Sequence, residues 1–407
     1  MKGRRSAGFL AAAIMGSLCL MGAASAQTQR PIVIGDINSY TGPVTAFTLP
    51  YRNGMEMAVD EINAKGGLLG RKLEVLHRDD NFSPAVGVRQ ANELILNEKV
   101  DLLAGTFLSP VALAVANYAN EKKVVFVAAE ALTNALTWKK GSLYVFRVRN
   151  PMSMLTQMLV SKAVTLKCSR WAALGPINEA IVDLNTEFKA TMAEKRKDFV
   201  WAGELLFPNQ KLDPASAIDS LSRMKPDCLL NSTFGPDLIA FAREGKTLGF
   251  FKKVQVVSVL SGEPEYMDPL GADTPVGWWV TGFPADDNRP TLKKFRDDYS
   301  ARYKTYPRFG SLIGYVTIKT IAAGIERAGS TETPKLIKGL EGAKFDSPIG
   351  SLTMRAGDHQ LTLGSWVGQL ALKDGKPVMT NWTFIDGKDA LPSEAVGRSR
   401  RPPGAND

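Results

Sequence analysis

The chain has 407 residues, 44% of them hydrophobic, with 50 lysines and arginines against 41 aspartates and glutamates for a formal charge of +9. That length is too great for one ordinary domain and suits two, and the apolar fraction is that of a globular chain. Lys2, Arg4, Arg5, Arg398, Arg400 and Arg401 lie at the two ends and carry much of the excess; the body between them is mildly basic, has no basic stripe interleaved with aromatics, and is not expected to bind nucleic acid.

Residues 1–26 have the pattern of an export signal. Lys2, Arg4 and Arg5 are its positive start, an apolar run extends from Phe9 to Met21, and Ala24-Ser25-Ala26 is a small-x-small cleavage site. The expected mature chain begins at Gln27 and is released to the periplasm. The apolar run is short for a membrane span. Leu18 precedes Cys19 where a lipoprotein signal carries a small residue, and Arg4-Arg5 hints at twin-arginine export. After cleavage Cys168 and Cys228 remain. They can pair in an oxidising compartment, but spacing gives no geometry, and two buried thiols are the simpler expectation.

Ile32-Val33-Ile34-Gly35 is a short, β-branched apolar run and predicts a buried strand. Tyr40-Thr41-Gly42-Pro43 predicts a turn. Met55, Ala58, Val59 and Ile62 recur at helical spacing, and Gly66-Gly67 stops that helix. Residues 72–77 alternate as a half-buried strand does. Helix 86–96, strand 101–105, helix 111–121 and strand 124–127 follow. A second series starts near Pro151: helix 152–165, strand 171–174, helix 180–195, strand 200–206, helix 214–224, strand 227–230, helix 236–248 and strand 254–259. Helices are predicted over 290–303, 311–328 and 334–340, and from Ile349 the chain turns β-rich, at 352–354, 366–370 and 382–384. Alternating strands and helices imply an α/β fold with parallel sheets, here two doubly wound lobes. No repeat is visible in the sequence itself.

In such sheets ligands bind outside the carboxyl ends of the strands. The informative segments are therefore Thr41-Gly42-Pro43, Thr106-Phe107-Leu108-Ser109-Pro110 and Glu130-Ala131-Leu132-Thr133-Asn134. Serine is a good N-cap and proline suits the first helical turn, so Ser109-Pro110 predicts a helix start, a ready site for a carboxylate; Thr133 can act likewise. Both residues also fit plain capping.

No enzyme constellation emerges. His77 and His359 are the only histidines, which leaves little for a histidine-based triad or metal site. Neither G-x-S-x-G nor H-E-x-x-H occurs. Gly245-Lys246-Thr247 imitates the end of a phosphate loop, but Ala240 stands in place of the first glycine, inside a predicted helix. Asp79-Asp80, Asp286-Asp287 and Asp297-Asp298 read as solvated turns and faces. No catalytic residue, cofactor or metal site is expected.

The series Thr41-Gly42-Pro43, Asn53-Gly54-Met55-Glu56-Met57-Ala58-Val59, Glu61-Ile62-Asn63-Ala64-Lys65-Gly66-Gly67 and Gly70-Arg71-Lys72-Leu73-Glu74 resembles the opening of the leucine/isoleucine/valine-binding protein family, and Asp79-Asp80, Pro84, Gly105 and Ser109 continue it. The likeness spans all but the last twenty or so residues, mainly by pattern in the second lobe. It implies a type I periplasmic-binding fold with three crossover strands forming a hinge that closes on a small-molecule ligand. It further implies a monomer serving an ABC permease and ATPase pair at the inner membrane. The expected lobes are 27–148 with 282–346 and 149–281 with 347–388, followed by a flexible tail over 389–407.

The resemblance assigns the ligand's carboxylate to Ser109, to Thr133 and to the backbone of Glu130 and Ala131. It puts Phe47, where relatives carry tyrosine, over the ligand. The family glutamate that pairs with an ammonium aligns with Leu260, with Glu263 three residues on. Two second-lobe tyrosine positions fall at Ala180, beside Glu179, and at Phe234. The positions of a family disulfide are Phe82 and Leu108, expected to pack together. Burying an ammonium without a carboxylate partner costs several kcal/mol, on the order of a lost buried ion pair. The cleft is therefore expected to prefer a carboxylate on an aromatic or apolar body, with Phe47, Phe107 and Phe234 as its apolar walls. A branched-chain amino acid binder using Glu263 is the alternative, as is a periplasmic sensor subunit of the same fold.

Overall fold

A computed structural model describes residues 30–405; the export signal expected over 1–26 lies outside the described residues. The first half of the chain runs β1 (Ile32–Asn38), α1 (Thr45–Ala64), β2 (Leu73–Asp79), α2 (Pro84–Leu96), β3 (Leu102–Gly105), α3 (Ser109–Lys122), β4 (Phe126–Ala128), β5 (Val145–Arg147) and α4 (Met152–Ala163). Next come β6 (Arg170–Pro176), α5 (Glu179–Lys195), β7 (Val200–Phe207), α6 (Pro214–Met224), β8 (Cys228–Asn231), α7 (Gly235–Thr247), β9 (Gln255–Gly262), α8 (Pro264–Leu270) and β10 (Trp279–Gly282). The chain ends with α9 (Pro290–Tyr303), α10 (Phe309–Ala328), α11 (Thr333–Leu340), β11 (Lys344–Ser347), β12 (Gly350–Thr353), β13 (Ser365–Lys373), β14 (Lys376–Ile385), α12 (Gly387–Ala390) and α13 (Glu394–Ser399).

Two sheets organise these elements. The first has the order β2-β1-β3-β4-β5 and is parallel throughout. The second has the order β14-β13-β10-β9-β8-β6-β7, parallel except for the β13–β14 hairpin, which joins antiparallel at one side. In the first sheet the chain turns opposite ways from β1, to β2 on one side and β3 on the other. In the second it does so from β6, to β7 and β8. Those two reversals are where a crevice opens at the strand ends.

The strands expected from apolar β-branched runs are buried on both faces; all seven residues of β1 are buried. On α1, Tyr51, Met55, Ala58, Val59 and Ile62 face inward. Helix α10 crosses α1 so closely that a Cβ on Gly54 or Gly314 would collide with the partner helix's backbone. That contact fixes α10, late in sequence, to the first lobe. The chain leaves the first sheet after β5 to enter the second at β6, returns after β10 to pack α10 on α1, and re-enters the second sheet at β13. Arg147 and Leu361 exchange backbone hydrogen bonds with the facing passage, at 2.9 Å each.

Three expectations need correction. Cys168 and Cys228 form a disulfide, with Cα atoms 5.9 Å apart, because β6 and β8 are neighbours and bring the two thiols to one sheet end. Phe82 packs against the larger apolar cluster and Leu108 against the smaller one, so they do not serve as one apolar staple. Nor do residues 389–405 hang free. The Glu394 carboxylate accepts from Gly357 N at 3.0 Å, Arg400 lies 4.2 Å over the Trp138 ring, and the buried Arg401 donates to Ser142 O at 2.8 Å. Arg400 and Arg401, two of the three basic residues at this end, are engaged by an aromatic face and carbonyls rather than free in a tail.

Candidate functional site

Residues following β1 and β4 meet residues following β6 and β9, with the end of β3 beside them. Two non-glycine residues there hold left-handed backbone. Thr106, after β3, has φ +69° and Leu260, in β9, has φ +65°. For a β-branched residue this is a costly conformation, of a kind that concentrates at functional sites.

Ser109 and Thr133 meet. Ser109 is the first residue of α3 rather than its N-cap, and its Oγ accepts from Thr133 N at 3.2 Å. Thr133 caps the short 3-10 turn Asn134–Leu136, its hydroxyl accepting from Ala135 N. The fully buried Arg147 holds that loop, donating to Thr133 O and, at 3.0 Å, to Thr137 Oγ1. Burial pulls the Arg147 guanidinium down to about 9. Glu179 reaches over from the second lobe: its carboxylate bonds Lys139 at 2.6 Å and lies 3.5 Å from the Thr133 hydroxyl.

Phe47 and Phe107 also meet, with ring centroids 5.2 Å apart. Tyr266, on α8 of the opposite lobe, completes the group at 4.9 Å from Phe47. Phe234 caps α7 and is half-buried against the larger core, with no ring contact to that trio. The Leu260 side chain is likewise in the larger core, and Ala131 in the smaller one.

Glu130 and Glu263 lie in a third group. Arg149, on the first passage between lobes, donates to Glu263 Oε1 at 2.6 Å and stacks 4.9 Å over Phe309. Asn38 donates to Glu130 Oε2 at 2.9 Å, and Gly310 N to Glu265 Oε1 at 2.8 Å. Burial pushes Glu130 up to about 8 and Glu263 up to about 7, against the pull of Arg149. Burial and the neighbouring Glu263 also raise the Tyr266 phenol. The reading from sequence missed Arg149, Glu265 and Tyr266. The one available signal was charge inside an apolar stretch, Arg147-Val148-Arg149-Asn150.

Among the described residues, Cys168, Asp227 and Cys228 bring three possible metal donors together. The sulfurs are engaged in the disulfide, and the Asp227 carboxylate accepts from Arg170 N at 2.7 Å. Among the described residues no helix is long and apolar enough to cross a membrane.

Residues 31–376 match the family model for periplasmic binding proteins. Leu/Ile/Val-binding protein homolog 7 of Brucella abortus is 24% identical over 365 residues, covering 86% of this chain and 88% of that protein. An ABC-transporter solute-binding protein of Rhodopseudomonas palustris, solved with 3,4-dihydroxybenzoic acid, superimposes with a TM-score of 0.78 at 21% identity, over 88% of this chain and 98% of that one. The closed leucine-, isoleucine-, valine-, threonine- and alanine-binding protein of Brucella ovis gives 0.80 at 18% identity, over 89% and 97%.

Proposed function

Because the chain belongs to the periplasmic binding protein family, we propose that it is the solute-binding component of an ABC importer whose lobes close on a small organic carboxylate with an aromatic or apolar body. The closed form would present that solute to a permease and its ATPase at the inner membrane, in the periplasm. One observation carries the choice of ligand: Glu263, the residue available to hold an ammonium, is already bonded to Arg149 at 2.6 Å, with both side chains 3% exposed. An α-amino acid would have to break that pair or leave its own ammonium unmatched, and either is costly away from water. A carboxylate has its own place in this reading, at the start of α3 beside the Ser109–Thr133 contact, where no side chain caps the helix and its positive end favours an anion. Phe47, Phe107 and Tyr266 supply the apolar surface beside it.

The second reading, a branched-chain amino acid binder, would use Glu263 as the partner of the ligand's ammonium in place of its bond to Arg149. A thermal-shift screen of the chain from Gln27 separates the two. A ligand at a hundred times its dissociation constant stabilises by about 2.7 kcal/mol. Stabilisation by benzoate-type or aliphatic monocarboxylates and not by leucine or valine is expected. Stabilisation by leucine or valine alone would overturn the carboxylate reading.

A further inference from the structure

After the three crossings that join the lobes, the chain makes a fourth. Strand β14 ends at Ile385 in the second sheet, and α12 packs against α4 of the same lobe. From there residues 391–405 run back to the first lobe, beyond the family match that ends at residue 376. This return adds no strand to either sheet.

The returning segment is fixed at several points. Arg355 donates to Pro392 O at 2.6 Å, and the Glu394 carboxylate accepts from Gly357 N at 3.0 Å. A Cβ on Gly397 would collide with the ends of Arg355 and Asp358, so α13 lies directly on that turn. Trp138, in the first lobe and 6% exposed, is held from two sides. Asp358 Oδ2 accepts from its Nε1 at 3.2 Å, and the Arg400 guanidinium lies 4.2 Å over its ring. Beyond it, Arg401 donates to Ser142 O, and Pro402–Ala405 share a hollow with Ser142, Leu143 and Tyr144.

Arg400 also lies near the second lobe. Glu179, Asp183 and Glu187 recur every four residues along α5 and so share one face of that helix. The face is turned toward the first lobe. Glu179 bonds Lys139 at 2.6 Å. Burial raises the Asp183 carboxyl, opposed by Lys139 and by the backbone of Asn134. Burial raises the Glu187 carboxyl too, opposed by its bond from Gln157 at 3.2 Å and by the charge of Arg400. The row of carboxylates thus meets Lys139 from the first lobe at one end and Arg400 from the tail at the other.

A segment covalently joined to one lobe and bonded to the other must stretch or peel when the two separate. Its contacts form within one chain, at high effective concentration, and favour the arrangement in which the lobes meet. We propose that residues 391–405 are a strap between the lobes, in which Arg400, seated on Trp138 beside Glu187, restrains how far the second lobe swings from the first. This rests on the lobe motion in the reading above. By disfavouring the separated state, the strap lowers the differential binding that a solute must supply to hold the lobes together.

Paired spin labels test this in the mature chain from Gln27. Leu49 in the first lobe and Ile177 in the second are 45% and 57% exposed, and Leu49→Cys with Ile177→Cys carries the labels. Electron–electron dipolar spectroscopy then reads the spread of separations. Without solute, the wild type is expected to give a narrow distribution at short distance, and deletion of residues 391–407 to broaden it toward longer ones. Arg400→Gln leaves the rest of the segment in place, and a cooperative melt reports that it folds. It is expected to raise the ratio of long to short separations by about two- to fivefold, the worth of one exposed cation–π contact. Identical distributions in the wild type and the deleted chain would overturn the strap. If neither benzoate nor leucine then moves them, the lobe motion beneath it falls as well; if either does, that motion stands. Broadening on deletion with none in Arg400→Gln would overturn the assignment to Arg400.

Discussion

Arg149 touches Glu263, Phe309 and the field of Glu130 and Glu265, so its removal strands buried carboxyl groups. Arg149→Met is expected to destabilise the protein by about 3–5 kcal/mol, the usual cost of deleting one partner of a buried pair, and Arg149→Met with Glu263→Leu by less than the first change alone. Urea unfolding of both variants checks this; a double variant less stable than the single would mean that Glu263 has another essential partner. Glu130 makes a prediction about pH. Its carboxyl is pushed up to about 8 by burial, from an ordinary value of 4.5. Between those values the folded state holds a proton that the unfolded chain has released, so this residue's contribution is full below the lower value and is lost as pH rises through the higher. The loss is up to about 1.4 kcal/mol per pH unit within the window. Unfolding free energies of the wild type and Glu130→Gln at pH 5 and pH 8 should therefore diverge, with the wild type losing ground at pH 8; a constant difference would show that Glu130 ionises in the fold. These residues were unequally legible. Ser109, Thr133 and Glu130 follow strands that apolar runs disclose, whereas Arg149, Glu265 and Tyr266 come from a passage between lobes and a seven-residue helix, whose neighbours only the assembled topology supplies.

At the scale of elements, the helices follow from periodicity, while several strands were missed in whole or in part, including β14, expected only at 382–384. Strand β5 is three residues, α8 contains Pro269, and β10 begins in Trp278-Trp279, a pair that carries no period. The disulfide was illegible for a different reason, since Cys168 and Cys228 are 60 residues apart and only the adjacency of β6 and β8 joins them. Closing a loop of that size removes unfolded-state freedom worth about 4 kcal/mol, so Cys168→Ser with Cys228→Ser should cost about 2–4 kcal/mol, and the wild type should lose a similar amount in reductant. An unchanged denaturation midpoint in reductant would indicate that the bond does not form. The final segment gives another test. It leaves β14 in the second lobe, passes the 355–358 turn and ends against Ser142 in the first, beyond the part of the chain that matches the family. Removing residues 391–407 exposes Trp138 and strips Arg355 of its bond to Pro392 O, and should lower the melting temperature by several degrees, the shift expected from about 1–2 kcal/mol in a chain of this size. An unchanged melting temperature would show the segment to be detached in solution.

For the whole molecule, the lobes meet through contacts of very different worth. At the floor, Arg149 meets Glu263 away from solvent; at the mouth, Lys139 meets Glu179 at 2.6 Å with the side chains 61% and 39% exposed. An exposed pair of that kind is worth little, because water and salt screen it and two long side chains lose freedom to form it. If the lobes close on a solute as proposed, the mouth pair would orient that closure without powering it, and the energy shifting the lobes toward the closed form would have to come from the solute's own differential contacts. Lys139→Ala should accordingly weaken binding of whichever carboxylate stabilises the protein by no more than about fivefold at low ionic strength, and the difference should vanish near 1 M salt, where screening acts within about 3 Å. Titration calorimetry at the two salt concentrations measures both. A loss well beyond tenfold that persists at high salt would place the Lys139 ammonium on the solute itself rather than on Glu179.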